Sequence, residues 1–497
     1  MPIKSFSNLS TYGKLLLLLV AGAHSSCEKL VSTGAPINTI TTAEVFSTNE
    51  QAKAAMATVY SGMVNDNNGT GSALASFSTG LTTVLGALSA DELNLFINQA
   101  DPLYLYNTNR LTVEDPYSKI IWTTAYQAIY GANAVIEGIA ASRSGKLQDT
   151  VRKELTGEAK FIRAFCYFYL TNLYGAVPLV LTVDFNTTRN LPRAPQVEVY
   201  RQIIKDLEDA RSMLPPDHSA GKGERIIPNT WAATALLARV YLYTGDYVHA
   251  AERASAIIAN GSIYSLEADV NKVFLKESKE PIWQLKQNTS VYMTGNATPE
   301  GAYFVPDRDP NGDLLYLKHN LSNELLDAFE PGDLRRAAWV DSAENPINVS
   351  GVYYYPMKYK TGNYNKIPGG EATEYYMCLR FAEQYLIRAE AAAHGAGGGS
   401  AAAIADLNMI RRRAGLSDLP GTLTPAELPA AIAHERQIEF FAEWGHRWLD
   451  LKRTGEAHAV LSQNPVKQPW RGDYQLLYPI PTTEIQADHF LIQNPGY

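Results

Sequence analysis

Cysteine is nearly missing from this chain. Three occur in 497 residues, with no CxxC and no Cys/His spacing, which excludes a disulfide scaffold or a structural zinc site as the organiser of the fold. Cys166 lies inside the apolar run FIRAFCYFYL, the setting of a buried thiol rather than of a bridge. Long basic runs are missing as well. Lys and Arg number 43 against 51 Asp and Glu, a net charge of −8, and no stretch longer than the three arginines at 411–413 gathers positive charge, so nucleic acid is not an expected partner. The apolar run at residues 15–20 falls well short of the roughly 20 residues that cross a bilayer as a helix. Metal-ligand spacings and a nucleophile elbow are absent, and neither a cofactor nor a metal is expected.

What remains is ordinary for a globular protein: 46% hydrophobic and 19% charged residues. The length suits two or three domains of about 150 residues, or one extended helical array. At the amino terminus, Lys4 and Lys14 precede the short apolar run, small residues follow, and Cys27 closes the segment. A basic start, short apolar core and small-residue end form a secretory signal. A cysteine directly after it is where bacterial lipoproteins are cleaved and acylated, although His24 stands where an aliphatic residue is usual. Residues 1–27 are expected to be a lipoprotein signal peptide ending in the lipidated Cys27.

Apolar residues recur at helical spacing over residues 43–64, 117–140, 151–174, 197–214, 230–243, 247–259, 376–394, 401–414 and 425–444. Between about 263 and 375 the pattern breaks into short β-like runs, such as 281–286 and 352–359, separated by Asn, Gly, Asp and Pro. The stretch 231–251 alternates small and large residues around Gly245, as a tetratricopeptide helix pair does. The expected fold is therefore mainly α, a tetratricopeptide-type helical frame carrying one long irregular region of loops and short strands.

Several separated motifs carry a family resemblance: AKFIRAFCYF at 159–168, LYGAVPL at 173–179, LRFAEQYLIRAE at 379–390, and Asn408 followed by RRRAGL at 411–416. Glu435 and Arg436, EWGHRWLDLKR at 443–453, and the closing PIP and QNPGY complete the series. In this order they resemble the SusD/RagB family, the surface lipoproteins that partner TonB-dependent transporters in the Bacteroidetes outer membrane. The resemblance implies a helical amino-terminal region at 28–262 and a carboxy-terminal region at 263–497 that carries ligand loops and closing helices. It also implies a lipid anchor on the outer membrane, facing the cell surface, and an oligosaccharide or other nutrient as ligand. A SusC-like transporter is the implied partner, no catalysis is implied, and the same architecture serves peptides in RagB-type members.

Glu435, Glu439 and Glu443 stand four residues apart, with Arg436, Arg447, Asp450 and Arg453 close by. As chemistry, such carboxylates suit a glycoside hydrolase; as structure, they form a charge network that ties a helix to its neighbours, and the network is the expected reading. A sugar site instead wants exposed aromatics beside polar side chains. In the family, ligand contacts come from loops. Residues 91–110 supply Phe96, Tyr104 and Tyr106 as stacking platforms and Asn98, Asn107 and Arg110 as hydrogen-bonding groups, against the alternative of tyrosines that cover the core. Residues 287–304 supply Tyr292 and Tyr303, though alternation equally makes Tyr303 an inward-packing strand residue. Tyr353 to Tyr359 read as a strand with two packed faces. Asp307, Asp309, Asn311 and Asp313 begin like a calcium loop, but Lys318 stands at its twelfth position and Pro310 stiffens it, so an Asx-rich turn is expected.

Overall fold

The computed structural model describes residues 42–65, 74–96, 100–291, 294–309, 311, 314–344 and 351–497. Its frame is a row of antiparallel helices: α1 (Asn49–Val64), α2 (Thr82–Ser89), α3 (Leu103–Asn107), α4 (Pro116–Ala141), α5 (Asp149–Tyr174), α6 (Gln196–Met213), α7 (Thr230–Tyr243) and α8 (Tyr247–Ile258). Local chemistry starts several of them. Thr48 accepts the Gln51 N–H ahead of α1, Asp115 accepts from Ser118 with Pro116 in the first turn of α4, and Asn229 accepts the N–H groups of Trp231 and Ala232. Each long helix packs on the next, α4 on α5, α5 on α6, α6 on α7 and α7 on α8.

Helix α5 lies at the centre of this row. From Phe161 to Leu170 every side chain is buried, and a helix apolar on all sides needs neighbours on all sides. Phe165 supplies the reason, with Trp283, Trp444 and Tyr169 rings set edge-on around it at 5.0–5.2 Å.

The irregular region contributes short strands: β1 (Leu93–Leu95), β2 (Pro281–Leu285), β3 (His319–Leu321), β4 (Val340–Glu344), β5 (Val352–Pro356) and β6 (Tyr376–Arg380), with the one-and-a-half-turn helix α9 (Pro299–Phe304) between β2 and β3. They pair only two by two: β1 with β3, β2 with β6, β4 with β5, all antiparallel. The expectation of one helix over 376–394 is corrected here. Tyr376, Met377, Cys378 and Leu379 are all buried, a consecutive apolar run that satisfies its backbone against β2 before α10 (Phe381–Ala393) begins. Helices α11 (Gly399–Arg413), α12 (Leu428–Phe440) and α13 (His446–Thr454) finish the chain's carboxy-terminal part.

Helix α12 also ends earlier than its periodicity suggests, at Phe440, and Glu443 lies in the turn beyond it. The three glutamates nevertheless meet one charge cluster. Arg335 bonds Glu435 at 2.5 Å, Glu439 at 3.0 Å and Asp333 at 2.9 Å. Arg380 bonds Glu280, Glu439 and Glu443 at 2.7–2.9 Å, and Lys358 holds Glu443. Every member is buried. Burial alone would push Glu439 up, but Arg413, Arg380 and Arg335 together hold it well below the usual carboxylate range. A carboxylate saturated by three arginines fastens helices and is unsuited to proton transfer.

Candidate ligand-binding site

The loop after α2 is pinned at its base. Asp91 takes a two-point ion pair from Arg447 of α13, at 2.8 and 2.7 Å, while its carbonyl accepts the Ser322 hydroxyl at 2.5 Å. Glu92 is buried beside it, and burial, with Asp91 adding repulsion, pushes its carboxyl up to about 8. From this base, β1 runs against β3 with Leu93, Asn94 and Leu95 facing Leu321, Asn320 and His319. The Phe96 N–H continues the ladder by donating to the Lys318 carbonyl at 3.0 Å.

Two sequence candidates from different loops are each linked to Lys318 at the end of this short ladder. Phe96 is half-buried and sets its ring edge-on to Tyr353 of β5, centroids 4.4 Å apart. Tyr303, also half-buried, lies parallel to the His319 ring at 5.2 Å, and the Lys318 ammonium sits 5.5 Å from its centroid. Lys318 thus faces Phe96 through its backbone and Tyr303 through its side chain. Tyr303 is carried by a helix and not by the alternating strand that the sequence also allowed. Thr298 caps that helix by accepting the Gly301 N–H, Pro299 opens it, and Gly301 packs where a Cβ would lie 2.2 Å from the Thr361 carbonyl.

Tyr303 lines a space of about 20 Å³ together with Phe304, Asp307, Lys318, His319 and Asn363. It has room for one water or one hydroxyl group. His319 is one of its lining residues, with only 3% of its surface exposed, and neither of its buried ring nitrogens has a hydrogen-bond partner. Burial, with the neighbouring Lys318 charge adding to it, pushes this imidazole down to about 3, so it is neutral at physiological pH.

The other candidates are dispersed. Tyr106 is corrected from platform to core: it has no exposed surface, its hydroxyl donates to Asp115 at 2.5 Å, and Tyr478 closes over it edge-on at 5.2 Å. Asn107 is likewise buried at 5% exposure, out of reach of a ligand. Helix α3 turns both inward because the helical spacing of Leu103, Tyr106 and Asn107 makes one face. The Arg110 guanidinium is spent on the Gln468 carbonyl. Tyr104 stays half-buried at the surface of α3. Asn98, Tyr292 and Cys27 lie outside the described residues, as do Pro310, Gly312 and Asp313 of the Asx-rich stretch. Within that stretch Asp309 accepts the Asn311 N–H at 2.9 Å, and Asp307 and Arg308 pair with Tyr316 and Leu314.

Comparison with known proteins decides what frame this cleft belongs to. Residues 39–242 match a SusD-like family model described as "Starch-binding associating with outer membrane", and residues 337–497 match the SusD family model. The chain belongs to the SusD/RagB family. Among SusD relatives, the SusD-like protein P2 of Formosa agariphila is 28% identical over 436 residues, 78% of this chain and 83% of the relative. The starch-binding protein SusD of Bacteroides thetaiotaomicron is 26% identical over 431 residues, 70% and 73% of the two chains. A SusD superfamily structure from Bacteroides vulgatus shares the fold with a TM-score of 0.76 at 22% identity, over 91% of this chain and all of that one. A laminarin-binding SusD-like protein shares it with a TM-score of 0.73 at 24% identity, over 91% and 100%.

This SusD-family chain carries a second concave surface that the motif reading passed over. Trp122, Tyr126 and Tyr130 stand four residues apart on α4 and, with Gln127 and Glu484, line an open groove of about 390 Å³. Trp122 is buried and Tyr126 is tied to the Pro178 carbonyl at 2.7 Å, while Tyr130 is 58% exposed. Its i, i+4 aromatic spacing was visible, but the same spacing marks a core stripe. Tyr353 was also passed over as a site residue. Its contact with Phe96, 257 positions away in sequence, sets it apart from Tyr354, which lies under Arg336, and from Tyr355, which is buried and donates to Asp341.

Proposed function

We propose that this protein captures an oligosaccharide at the cleft between Phe96, Tyr303 and His319 and passes it to a SusC-like TonB-dependent transporter. In this reading it is tethered to the outer membrane through acyl chains on Cys27, with the cleft toward the cell exterior. The observation that carries the proposal is that half-buried Tyr303 lines a recess with Lys318, Asp307 and Asn363, while Phe96, bonded through its backbone to Lys318, meets Tyr353 at the end of the β1–β3 ladder. Aromatic faces suit the C–H faces of a pyranose, and the polar groups suit its hydroxyls. Relatives named as starch-binding and laminarin-binding support the ligand class.

Capture works here without bond cleavage. The glutamates that a hydrolase reading would use are locked in buried ion pairs. Hand-off to a transporter requires release, so moderate affinity and fast exchange fit the role. Titration calorimetry against starch, laminarin, xylan and mannan oligosaccharides and a mixed peptide panel tests the ligand class. Saccharide heat with no reducing-end release supports it. Binding confined to peptides, or turnover lost in a single Glu or Asp variant, would overturn it.

A further inference from the structure

We infer that the two walls of the proposed cleft stand on one pair of buried, uncharged carboxyls, Glu92 and Glu300, and that ionisation of this pair in alkaline solution loosens both walls and weakens ligand capture. The inference rests on the cleft reading above and adds a pH-sensitive lock to it. Glu92 opens the β1–β3 ladder, its carbonyl accepting the Ser322 N–H at 2.9 Å, four residues ahead of Phe96. Glu300 lies on α9, three residues ahead of Tyr303. Both side chains run back to the turn after α12. The Ala442 N–H reaches Glu92 Oε2 at 3.5 Å, and Ala442 lines a space of about 10 Å³ together with Glu300, Lys358 and Tyr359.

The surroundings of the pair favour the protonated form. Each residue has 1% of its surface exposed. Glu92 Oε1 has no partner, and the Tyr376 hydroxyl, itself 3.3 Å from the Thr83 hydroxyl, donates to Glu300 at 3.1 Å. The nearby cations are committed elsewhere, Arg447 to Asp91 and Lys358 to Glu443. Asp91 repels a charge on Glu92, Glu443 repels one on Glu300, and Tyr359 beside Glu300 is held neutral by burial. A carboxylate so placed is costly, whereas the acid is not. Burial accordingly pushes both carboxyls up to about 8, and the same burial pushes Lys358 down to about 8, so its ammonium is no lasting counter-charge above that pH. Both carboxyls are raised above the ordinary 4.5, so the closed arrangement is favoured below about 8 and is lost as pH rises through it. A charged carboxyl here gains by reaching water. The elements that must shift to admit it are short, β1 of three residues and α9 of six, and such elements open locally before the frame does.

The test follows amide hydrogen exchange at residues 93–96 and 300–305 of the unliganded protein, in wild type and in Glu92→Gln/Glu300→Gln, at about pH 6.5 and about pH 9. Comparing the two proteins at one pH removes the intrinsic effect of base on exchange, and Lys358, Asp91 and Glu443 are common to both. The expected result is equal exchange at the lower pH and, at the higher, exchange about tenfold faster in wild type at both segments. Where the double variant does not fold, Glu300→Gln read at residues 300–305 gives the same comparison. The second readout is titration with the oligosaccharide that binds wild type: affinity should fall about tenfold or more over this interval in wild type and stay level in the variant. Equal exchange in the two proteins at both pH values would overturn the inference and leave saccharide capture in place. Faster exchange in wild type, with an affinity that ignores pH, would keep the lock and overturn the cleft reading on which its effect on capture rests.

Discussion

Tyr106 and Tyr303 look alike in the sequence, each a tyrosine beside apolar neighbours in a segment rich in turn-forming residues, yet one is core and the other lines a cleft. Tyrosine carries an apolar body and a polar tip, so it fits either place. Depth is decided by partners far away in sequence, Tyr478 and Asp115 for Tyr106, His319 for Tyr303. Tyr106→Phe should therefore cost about 1–3 kcal/mol of stability, because Asp115 loses a buried donor, and should leave sugar affinity unchanged. Urea unfolding and titration measure the two effects; an affinity loss without a stability loss would return α3 to the site. Residue types in the candidate site were thus legible, but their exposure was not. A second residue-scale effect is pH-dependent. Burial pushes Glu92 and Glu300 up to about 8 from an ordinary 4.5. Both are raised above their unfolded values, so the stability they contribute is fully present below about 4.5 and is lost as pH rises toward 8. Relative to a Glu92→Gln/Glu300→Gln variant, the wild type should lose at least about 2 kcal/mol between pH 5 and 8. Parallel stability curves for the two proteins would contradict this.

Elements were most legible where one period ran long. The spans of α4, α5 and α7 follow from apolar spacing that tertiary packing then used, whereas β6 reads as helix until β2 is beside it. The turn after α12 was hidden for a different reason. Its residues keep the apolar and charged pattern of the helix, but Ala442, Trp444 and Gly445 adopt left-handed φ of 50°, 48° and 66°. That turn brings Glu443 to Arg380 and lays Gly445 against Gly86 of α2, where a Cβ on Gly86 would lie 2.5 Å from the Gly445 Cα. Backbone meets backbone there, with no flexible side chain to give way. Gly86→Ala should cost about 1–3 kcal/mol in urea unfolding, and a neutral result would show that α2 and α13 can separate freely.

At the scale of the molecule, the distinctive carboxy-terminal motif and the first loop serve each other. Arg447 of EWGHRWLDLKR holds Asp91 at the base of β1, and the last residues close over the helical row through Asn494, which donates to the Tyr174 and Tyr478 carbonyls at 3.0 and 2.8 Å. The motif that marks the family therefore holds the base of β1, next to the proposed ligand cleft, and the cleft itself is built from less distinctive segments. The groove on α4 is the other surface on which a sugar could stack, since Tyr130 there is the more exposed aromatic. The decisive measurement is a titration of wild type, Phe96→Ala, Tyr303→Ala and Tyr130→Ala with the oligosaccharide that binds best. By analogy with bases stacked on aromatic side chains, each of the first two changes should weaken binding by about 1–3 kcal/mol, and Tyr130→Ala should leave it unchanged. Loss of binding in Tyr130→Ala, with Phe96→Ala and Tyr303→Ala at wild-type affinity, would contradict the assignment of the cleft.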